Sequence, residues 1–136
     1  MAAAKPLRLR IGELAERTGR SVHTIRWYEA QGLLPTVPRH GAHRVYSNRH
    51  VEWLELMDRL RQSGMSVADL RNYTALAQRG GATLEQTRAL LLAHKANVES
   101  RIAEWQRARR LIDEKIAFYT QWIEAGQRPV RRTGAD

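Results

Sequence analysis

The chain has 136 residues, which is enough for one compact domain and an additional extended element. It contains no cysteine, and this excludes disulfides, thiolate metal sites and thiol redox chemistry. The formal net charge is +9, and no apolar run is long enough to cross a bilayer or to form a signal peptide, so we expect a cytoplasmic protein without a membrane partner.

The positive charge is concentrated near the N-terminus. Residues 5–49 hold nine Lys/Arg against three Glu, whereas residues 50–79 hold four of each sign. This distribution is typical of nucleic-acid binding, because each cation that approaches a phosphate releases a condensed counterion. A basic surface without any partner is the alternative, and charge alone does not decide between the two.

Two short helices are predicted within the basic region. The apolar residues of segment 11–17 have helical spacing, and Gly19 ends this first helix. Ser21 is a predicted N-cap for the second helix, which ends before Gly32. The sequence therefore predicts two helices joined by a tight turn.

A β-hairpin and a second pair of helices are predicted next. Residues 39–46 have Gly41 between two short segments, and the second segment ends in a β-branched and an aromatic residue. A two-stranded hairpin is marginal alone and needs a helix to pack against. The helix predicted at Asn48–Gln62 can provide that support, and Ser66 begins a fourth predicted helix that ends at Gln78.

The last predicted element is a helix of about forty residues. Gly80-Gly81 predicts a hinge, the segment 83–86 matches a capping box, and no Gly or Pro follows until Gly126. A helix of this length must bury an apolar stripe to be stable in water. The residues expected to form that stripe follow heptad spacing and are Leu91, Val98, Ile102, Trp105, Ile112, Ile116 and Tyr119.

This heptad stripe needs a partner helix, and the chain has no second helix of that length. A second copy of the chain is the economical partner, so we expect a homodimer. The alternative is a long helix that folds back on its own N-terminal domain.

A helix, a tight turn, a second helix and a basic hairpin form the layout of a winged helix-turn-helix. The second helix is narrow enough to enter the major groove of DNA with its N-terminal residues nearest the bases. The hairpin lies at a distance suited to flanking phosphates. The residues expected at the DNA are Ser21, His23, Thr24 and Arg26 on the second helix, and Arg39, Arg44 and Tyr46 on the hairpin.

Several motifs resemble the MerR family of bacterial transcription regulators over about residues 9–76. They are Ile11-Gly12-Glu13-Leu14-Ala15, Gly19, Thr24-Ile25-Arg26-Trp27-Tyr28-Glu29, Gly32-Leu33-Leu34-Pro35, then Arg39, Gly41, Arg44, Tyr46 and Leu70. The resemblance implies a mainly α fold, with a four-helix winged helix-turn-helix domain followed by a helix that dimerises as an antiparallel coiled coil. It also implies DNA contacts, mostly to the backbone, from Arg26, Tyr28, Arg44 and Tyr46.

By the same resemblance, the protein would bind a palindromic promoter site and remodel the DNA so that RNA polymerase can use a promoter whose spacer is too long. The family often has tyrosine where Trp27 stands and an aromatic residue where His43 stands. The family's cysteine-based metal sensing does not carry over to a chain without cysteine. A small-molecule effector would have to use the N-terminal domain, the helix pair or the dimer stripe.

We therefore divide the chain into a DNA-binding domain at residues 8–79, a dimerisation helix at 83–125 and a disordered tail at 126–136. No set of residues suggests an enzyme, and we expect no cofactor and no metal site, including at His40, His43 and His50. Two other functions stay open. One is an architectural DNA-binding protein with little sequence preference, and the other is a coiled-coil module whose basic domain binds an acidic protein.

Overall fold

A computed structural model describes residues 7–130 of the chain, and most of these residues are helical. The elements in chain order are α1 (Ile11–Thr18), α2 (Val22–Ala30), β1 (Arg39–His40), β2 (His43–Arg44), α3 (Asn48–Gln62), α4 (Val67–Gln78), a 3₁₀ turn (Gly80–Thr83) and α5 (Leu84–Ala125). The predicted fold class, a helical domain with a small hairpin followed by one long helix, is confirmed.

Side-chain caps and a left-handed glycine set the helix ends that the sequence predicted. The Ser21 hydroxyl accepts a hydrogen bond from the Thr24 amide at 3.0 Å, and the Ser66 hydroxyl accepts one from the Asp69 amide at 3.1 Å. Each bond satisfies a backbone donor that the first turn of a helix leaves without a helical partner. Gly19 ends α1 with a φ of 67°, a conformation that costs a residue with a side chain more than it costs glycine.

The hairpin β1–β2, called the wing below, is shorter than the sequence predicted. Arg39 faces Arg44 and His40 faces His43 in an antiparallel pair. The N-terminal segment supports the wing, because Leu9 and Tyr46 exchange two backbone hydrogen bonds of 2.8 Å each. This added bridge compensates for the small number of hydrogen bonds within the wing itself.

The structure forms two compact units, one ending at His94 and the other beginning at Lys95. The N-terminal unit has a core drawn from all four short helices and the wing region. Its most fully buried apolar side chains are Leu14, Ile25, Tyr28, Leu33, Tyr46, Leu54, Met57 and Leu70. The first turns of α5 belong to this unit because Leu90 and Leu91 pack against the core. Leu91 thus contacts its own chain, although the heptad pattern placed it in the dimer stripe.

The start of α5 differs from the predicted capping box. The Thr83 hydroxyl donates to the Leu76 carbonyl at 2.5 Å and approaches the Gly80 carbonyl at 3.3 Å, and within residues 7–130 it accepts no hydrogen bond from the first turn of α5. The capping-box prediction was wrong because the Gly80–Thr83 turn leads directly into α5 and directs this hydroxyl back toward α4.

The C-terminal unit is built on the rest of α5, and none of the forty-two residues of this helix is buried. Among the predicted stripe residues, Val98 is half-buried, and five others are exposed, namely Ile102, Trp105, Ile112, Ile116 and Tyr119. In the described range, no helix combines the length and apolarity needed to span a membrane. Residues 126–130 follow α5, and the rest of the predicted disordered tail, residues 131–136, lies outside the described range.

Candidate nucleic-acid interface

A groove of about 1070 Å³ lies between α1, α2 and the wing. Four arginines line it, together with three glutamates: Arg10, Arg26, Arg39, Arg44, Glu13, Glu16 and Glu29. Arg26 on α2 and Arg39 and Arg44 on the wing are all exposed. Three arginines that were expected at the DNA therefore line a single groove, with carboxylates among them. The predicted contact residues Ser21, His23 and Thr24 are not part of its lining.

The N-terminal turn of α2 presents a mixture of exposed and internally bonded groups. His23 and Arg26 are exposed. The Ser21 and Thr24 hydroxyls lie 2.8 Å apart and bond to each other, and Ser21 also caps the helix. These two hydroxyls therefore stabilise the start of α2 in the free chain, and their contacts with bases stay a prediction.

A polar network fixes α2 against α3. The Tyr28 hydroxyl donates to Asp58 Oδ1 at 2.5 Å, and the Arg20 guanidinium forms an ion pair with the other oxygen of the same carboxylate. Arg20 Nη1 also donates to the Thr18 carbonyl at 3.0 Å. Asp58 thereby joins the turn after α1, α2 and α3, and charge-assisted hydrogen bonds of this kind are stronger than neutral ones.

Tyr28 does not lie where the resemblance placed it. Its side chain is only 1% exposed, and its hydroxyl is already bonded to Asp58. A buried aromatic ring contributes mainly to packing, and its hydroxyl finds an internal partner. The expectation of a direct DNA contact is corrected accordingly, and Tyr28 holds α2 in place instead.

Tyr46 requires a similar correction. Its ring is fully buried, and its hydroxyl donates to Glu29 Oε2 at 3.3 Å. Burial raises the pKa of Tyr46, and the nearby positive charges of Arg44 and Arg26 only partly oppose this change. The phenol therefore stays protonated and serves as a hydrogen-bond donor beneath the groove.

Glu29 joins α2 to the wing. Its carboxylate forms an ion pair with Arg44 and accepts the hydrogen bond from Tyr46. The Arg44 side chain still exposes 42% of its surface, and the Glu29 side chain exposes 21%. The sequence analysis did not assign a role to Glu29, although a carboxylate within the most basic third of the chain was a signal of one.

His50 packs against the residues that directly follow the wing. Its Nδ1 accepts a hydrogen bond from the Ser47 amide at 3.0 Å, and its ring meets the Tyr46 ring edge-on at 5.5 Å between centroids. His50 Nε2 is buried and has no hydrogen-bond partner among residues 7–130. Burial lowers the pKa of His50 most strongly, and the polar backbone of Thr36 and Pro35, which favours the charged ring, opposes this only in part.

The end of α2 is fixed by the second helix pair. Arg71 on α4 donates to the carbonyl and to the side-chain oxygen of Gln31 at 2.8 and 2.9 Å. Trp53 on α3 donates to the Leu33 carbonyl at 2.9 Å and stacks on Tyr73. Both ends of α2 are thus bonded to other elements of the unit, and the helix presents its exposed face in a fixed orientation.

Comparisons with known proteins agree with this geometry. Residues 9–77 match the family model described as MerR HTH family regulatory protein, and residues 51–115 match the model described as MerR, DNA binding. An uncharacterized HTH-type transcriptional regulator of Haemophilus influenzae is 35% identical over 106 residues, which cover 77% of this chain and 78% of the relative.

Two solved structures have a similar fold. The crystal structure of HiNmlR, a MerR family regulator lacking the sensor domain and bound to promoter DNA, is 31% identical with a TM-score of 0.76. The similarity covers 89% of this chain and 97% of that one. A MerR family regulator from Bacillus thuringiensis is 25% identical with a TM-score of 0.70, and the match covers 82% of this chain and 98% of the other.

Proposed function

The chain belongs to the MerR family of helix-turn-helix regulatory proteins, and we propose on this basis that it is a sequence-specific transcription regulator that binds promoter DNA as a homodimer in the cytoplasm. The observation that carries the proposal is the groove in which Arg26, in the middle of α2, is exposed together with Arg39 and Arg44 of the wing. The similarity to HiNmlR, which was solved on promoter DNA, supports it.

In the proposed complex, the N-terminal turn of α2 enters the major groove. Ser21, His23 and Thr24 would face base edges, and Arg26 would reach a guanine or a phosphate. Arg39 and Arg44 would bind phosphates that flank this site, which fixes the register of the protein on the duplex. Tyr28 and Tyr46 would not contact the DNA; their buried side chains would hold α2 and the wing in position.

The proposed homodimer uses the exposed apolar residues of α5. One copy of the N-terminal unit reaches only a few base pairs, so a palindromic site requires two copies at a fixed separation. Pairing through Ile102, Trp105, Ile112 and their neighbours would set this separation and remove their side chains from water. Bending the DNA between the half-sites costs on the order of 1–6 kcal/mol, which added contacts can offset, and realignment of the promoter would serve RNA polymerase.

A binding protein of this type needs no catalytic residues, and we propose no enzymatic activity. A small-molecule effector, if the protein responds to one, would act on the N-terminal unit or on the paired α5 helices.

The proposal is tested by gel-shift titration of the full chain with promoter fragments near its own gene and with random duplexes of equal length, at the same salt concentration. Specific binding is expected to exceed random binding by about a thousandfold or more. Equal affinity for both duplexes would contradict the proposal and favour an architectural protein. Absence of binding to any duplex would contradict it as well and favour the interaction module with an acidic partner.

A further inference from the structure

Glu29 places a carboxylate in a groove whose proposed ligand is a chain of phosphates. It lies one turn after Arg26 on α2, and its side chain is mostly buried. A negative charge at this place repels every DNA molecule, whatever its sequence. The contacts of Glu29 indicate a structural role that can offset this repulsion.

The carboxylate restrains Arg44. Arg44 faces Arg39 across the wing, and two like charges directly opposite each other destabilise a strand pair. The ion pair with Glu29 neutralises one of these charges and fixes the Arg44 guanidinium toward α2. The Tyr46 hydroxyl donates a hydrogen bond to the second carboxylate oxygen of Glu29, so the orientation of this carboxylate is itself fixed.

The remaining donors of Arg44 are still accessible. A guanidinium has five N–H donors in a rigid fork, and an ion pair with one carboxylate does not use all of them. With 42% of its side chain exposed, Arg44 can bind a phosphate while it remains bonded to Glu29. Arg44 can bind Glu29 and a phosphate at the same time only when the phosphate lies where the free N–H groups of the fixed guanidinium point.

We propose that Glu29 is a positioning residue that determines specificity: it holds Arg44 ready for the phosphate of a correctly docked site and restrains it from phosphates in other poses. The inference rests on the proposed DNA-binding function. In random complexes, where docking poses vary, a free Arg44 would find a phosphate in each pose. In the specific complex, the fixed Arg44 loses little further side-chain freedom on binding.

The test compares Glu29→Gln with Glu16→Gln, since both changes remove one carboxylate from the same groove. Glu16 forms no ion pair within residues 7–130, so its replacement reports only the loss of charge. Affinity is measured by gel shift on a promoter duplex and on a random duplex, from 50 to 200 mM salt.

Glu29→Gln is expected to strengthen random binding more than promoter binding, and thereby to lower the ratio of the two affinities by about threefold or more at 50 mM salt. On random DNA, its salt slope should steepen by about one unit, which corresponds to an extra loss of roughly 3.5-fold between 50 and 200 mM. Glu16→Gln should change both affinities alike and leave the ratio unchanged.

A double-variant cycle shows whether Glu29 acts through Arg44. In an Arg44→Gln background, the effect of Glu29→Gln on the affinity ratio should disappear, because the restrained group is absent. Persistence of the full effect in that background would overturn the proposal. Equal effects of Glu29→Gln and Glu16→Gln on the ratio would overturn it too.

Circular dichroism checks that each variant is folded. If Glu29→Gln does not fold, Arg44→Lys replaces it, because lysine keeps the charge but lacks the rigid fork. Arg44→Lys should also lower the affinity ratio, and an unchanged ratio would overturn the proposal. A wild-type chain that does not prefer promoter DNA would contradict the proposed function itself, whereas a selective wild-type chain with an ineffective Glu29→Gln contradicts only this inference.

Discussion

The unit that ends at His94 has a core of buried apolar side chains, whereas no residue in the described part of the unit that begins at Lys95 is buried. Leu14 and Leu54 are fully buried in the first unit. In the second, Ile112 is 57% exposed and Trp105 is 75% exposed. The two units therefore differ in how much of their stability can come from contacts within one chain, since burial of apolar surface is the main favourable contribution to folding.

The two units also differ in the hydrogen bonds and ion pairs of their charged side chains. In the N-terminal unit, the Asp58 and Glu29 carboxylates each join residues that are far apart in sequence. The ion pair of the C-terminal unit within the described residues links Lys95 to Glu99, one helical turn away, and both side chains are mostly exposed. Such exposed pairs contribute little to stability. The N-terminal unit thus has its own tertiary interactions, whereas the ion pair described in the rest of α5 joins residues of the same helix.

The largest expected effect comes from a charge within the exposed stripe. Ile112→Glu should convert the proposed dimer to a monomer and reduce promoter affinity by more than a hundredfold, because both half-sites must be held together. If the proposed dimer buries Ile112, each copy of this side chain contributes roughly 1.5–3 kcal/mol, and a two-fold dimer contains two of them. Sedimentation velocity measures the mass, and gel shift measures the affinity.

A matched control for Ile112→Glu is Gln121→Glu, which adds the same charge to α5. Helical geometry at 100° per residue puts position 121 on the side of α5 opposite position 112. The control should sediment like the wild-type chain. A dimeric Ile112→Glu variant with normal promoter affinity would show that Ile112 does not hold two copies of α5 together.

The next effect concerns the stability of the N-terminal unit. Asp58→Ala leaves Arg20 and Tyr28 without their shared acceptor and should lower the free energy of unfolding by about 2 kcal/mol. Urea denaturation followed by circular dichroism measures the change. Glu55→Ala, at an exposed position one turn earlier on α3, should change it by less than about 0.5 kcal/mol. Equal effects of the two changes would show that the Asp58 network does not stabilise the unit.

Smaller changes are expected in DNA binding when single arginines of the groove are replaced. Arg26→Ala should weaken promoter binding by about 1–3 kcal/mol and reduce sequence preference, if Arg26 contacts a base. Arg44→Ala should reduce the salt slope by about one unit with a smaller change in preference. Both variants should remain dimers. Wild-type binding by both would show that α2 and the wing do not face the DNA.

The smallest expected effect is a dependence of stability on pH. The folded chain disfavours a charged His50, because burial lowers its pKa below the usual 6.5. As the pH falls below that value, the unfolded chain takes up the proton first, so stability is complete above pH 6.5 and decreases toward the lowered folded pKa. The slope for one proton is at most about 1.4 kcal/mol per pH unit.

The His50 contribution is isolated by replacing it with a residue that does not titrate. His50→Gln keeps an acceptor for the Ser47 amide and should flatten the decline in stability between pH 7.5 and 5.5. His23→Gln, at an exposed position, should leave the decline as it is in the wild-type chain. Thermal unfolding at several pH values makes the measurement, and an unchanged slope in His50→Gln would exclude His50 as its source.

Local signals predicted the elements well. Ser21 and Ser66 cap the helices that they were expected to cap, and the Asn48–Gln62 helix has the predicted bounds. These features depend on residues within one or two turns, which a single sequence displays directly. Thr83 shows the limit of such signals, because its hydroxyl bonds to the Leu76 carbonyl, which lies beyond the reach of a capping motif.

The candidate site was predicted less completely. The exposed arginines were foreseen from charge and spacing, but Tyr28 and Tyr46 were expected at the DNA and are buried. Tyrosine has both an apolar ring and a polar hydroxyl, so its type does not reveal which part faces water. The roles of Asp58 and Glu29 were missed because their partners are 15 to 38 positions away, and only the folded chain brings them together. Asp58, for example, bonds to Arg20, 38 positions earlier.

The exposure of Trp105 gives the protein an optical property that its fold alone would not suggest. Of the four tryptophans, Trp27 and Trp53 belong to the N-terminal unit, and Trp105 and Trp122 lie on α5. Indole emission shifts to shorter wavelengths when the ring leaves water, and Trp53 is already hydrogen bonded and stacked on Tyr73. A blue shift on raising the protein concentration would therefore come mainly from α5, and the unlabelled chain would carry its own spectroscopic reporter of the proposed dimerisation.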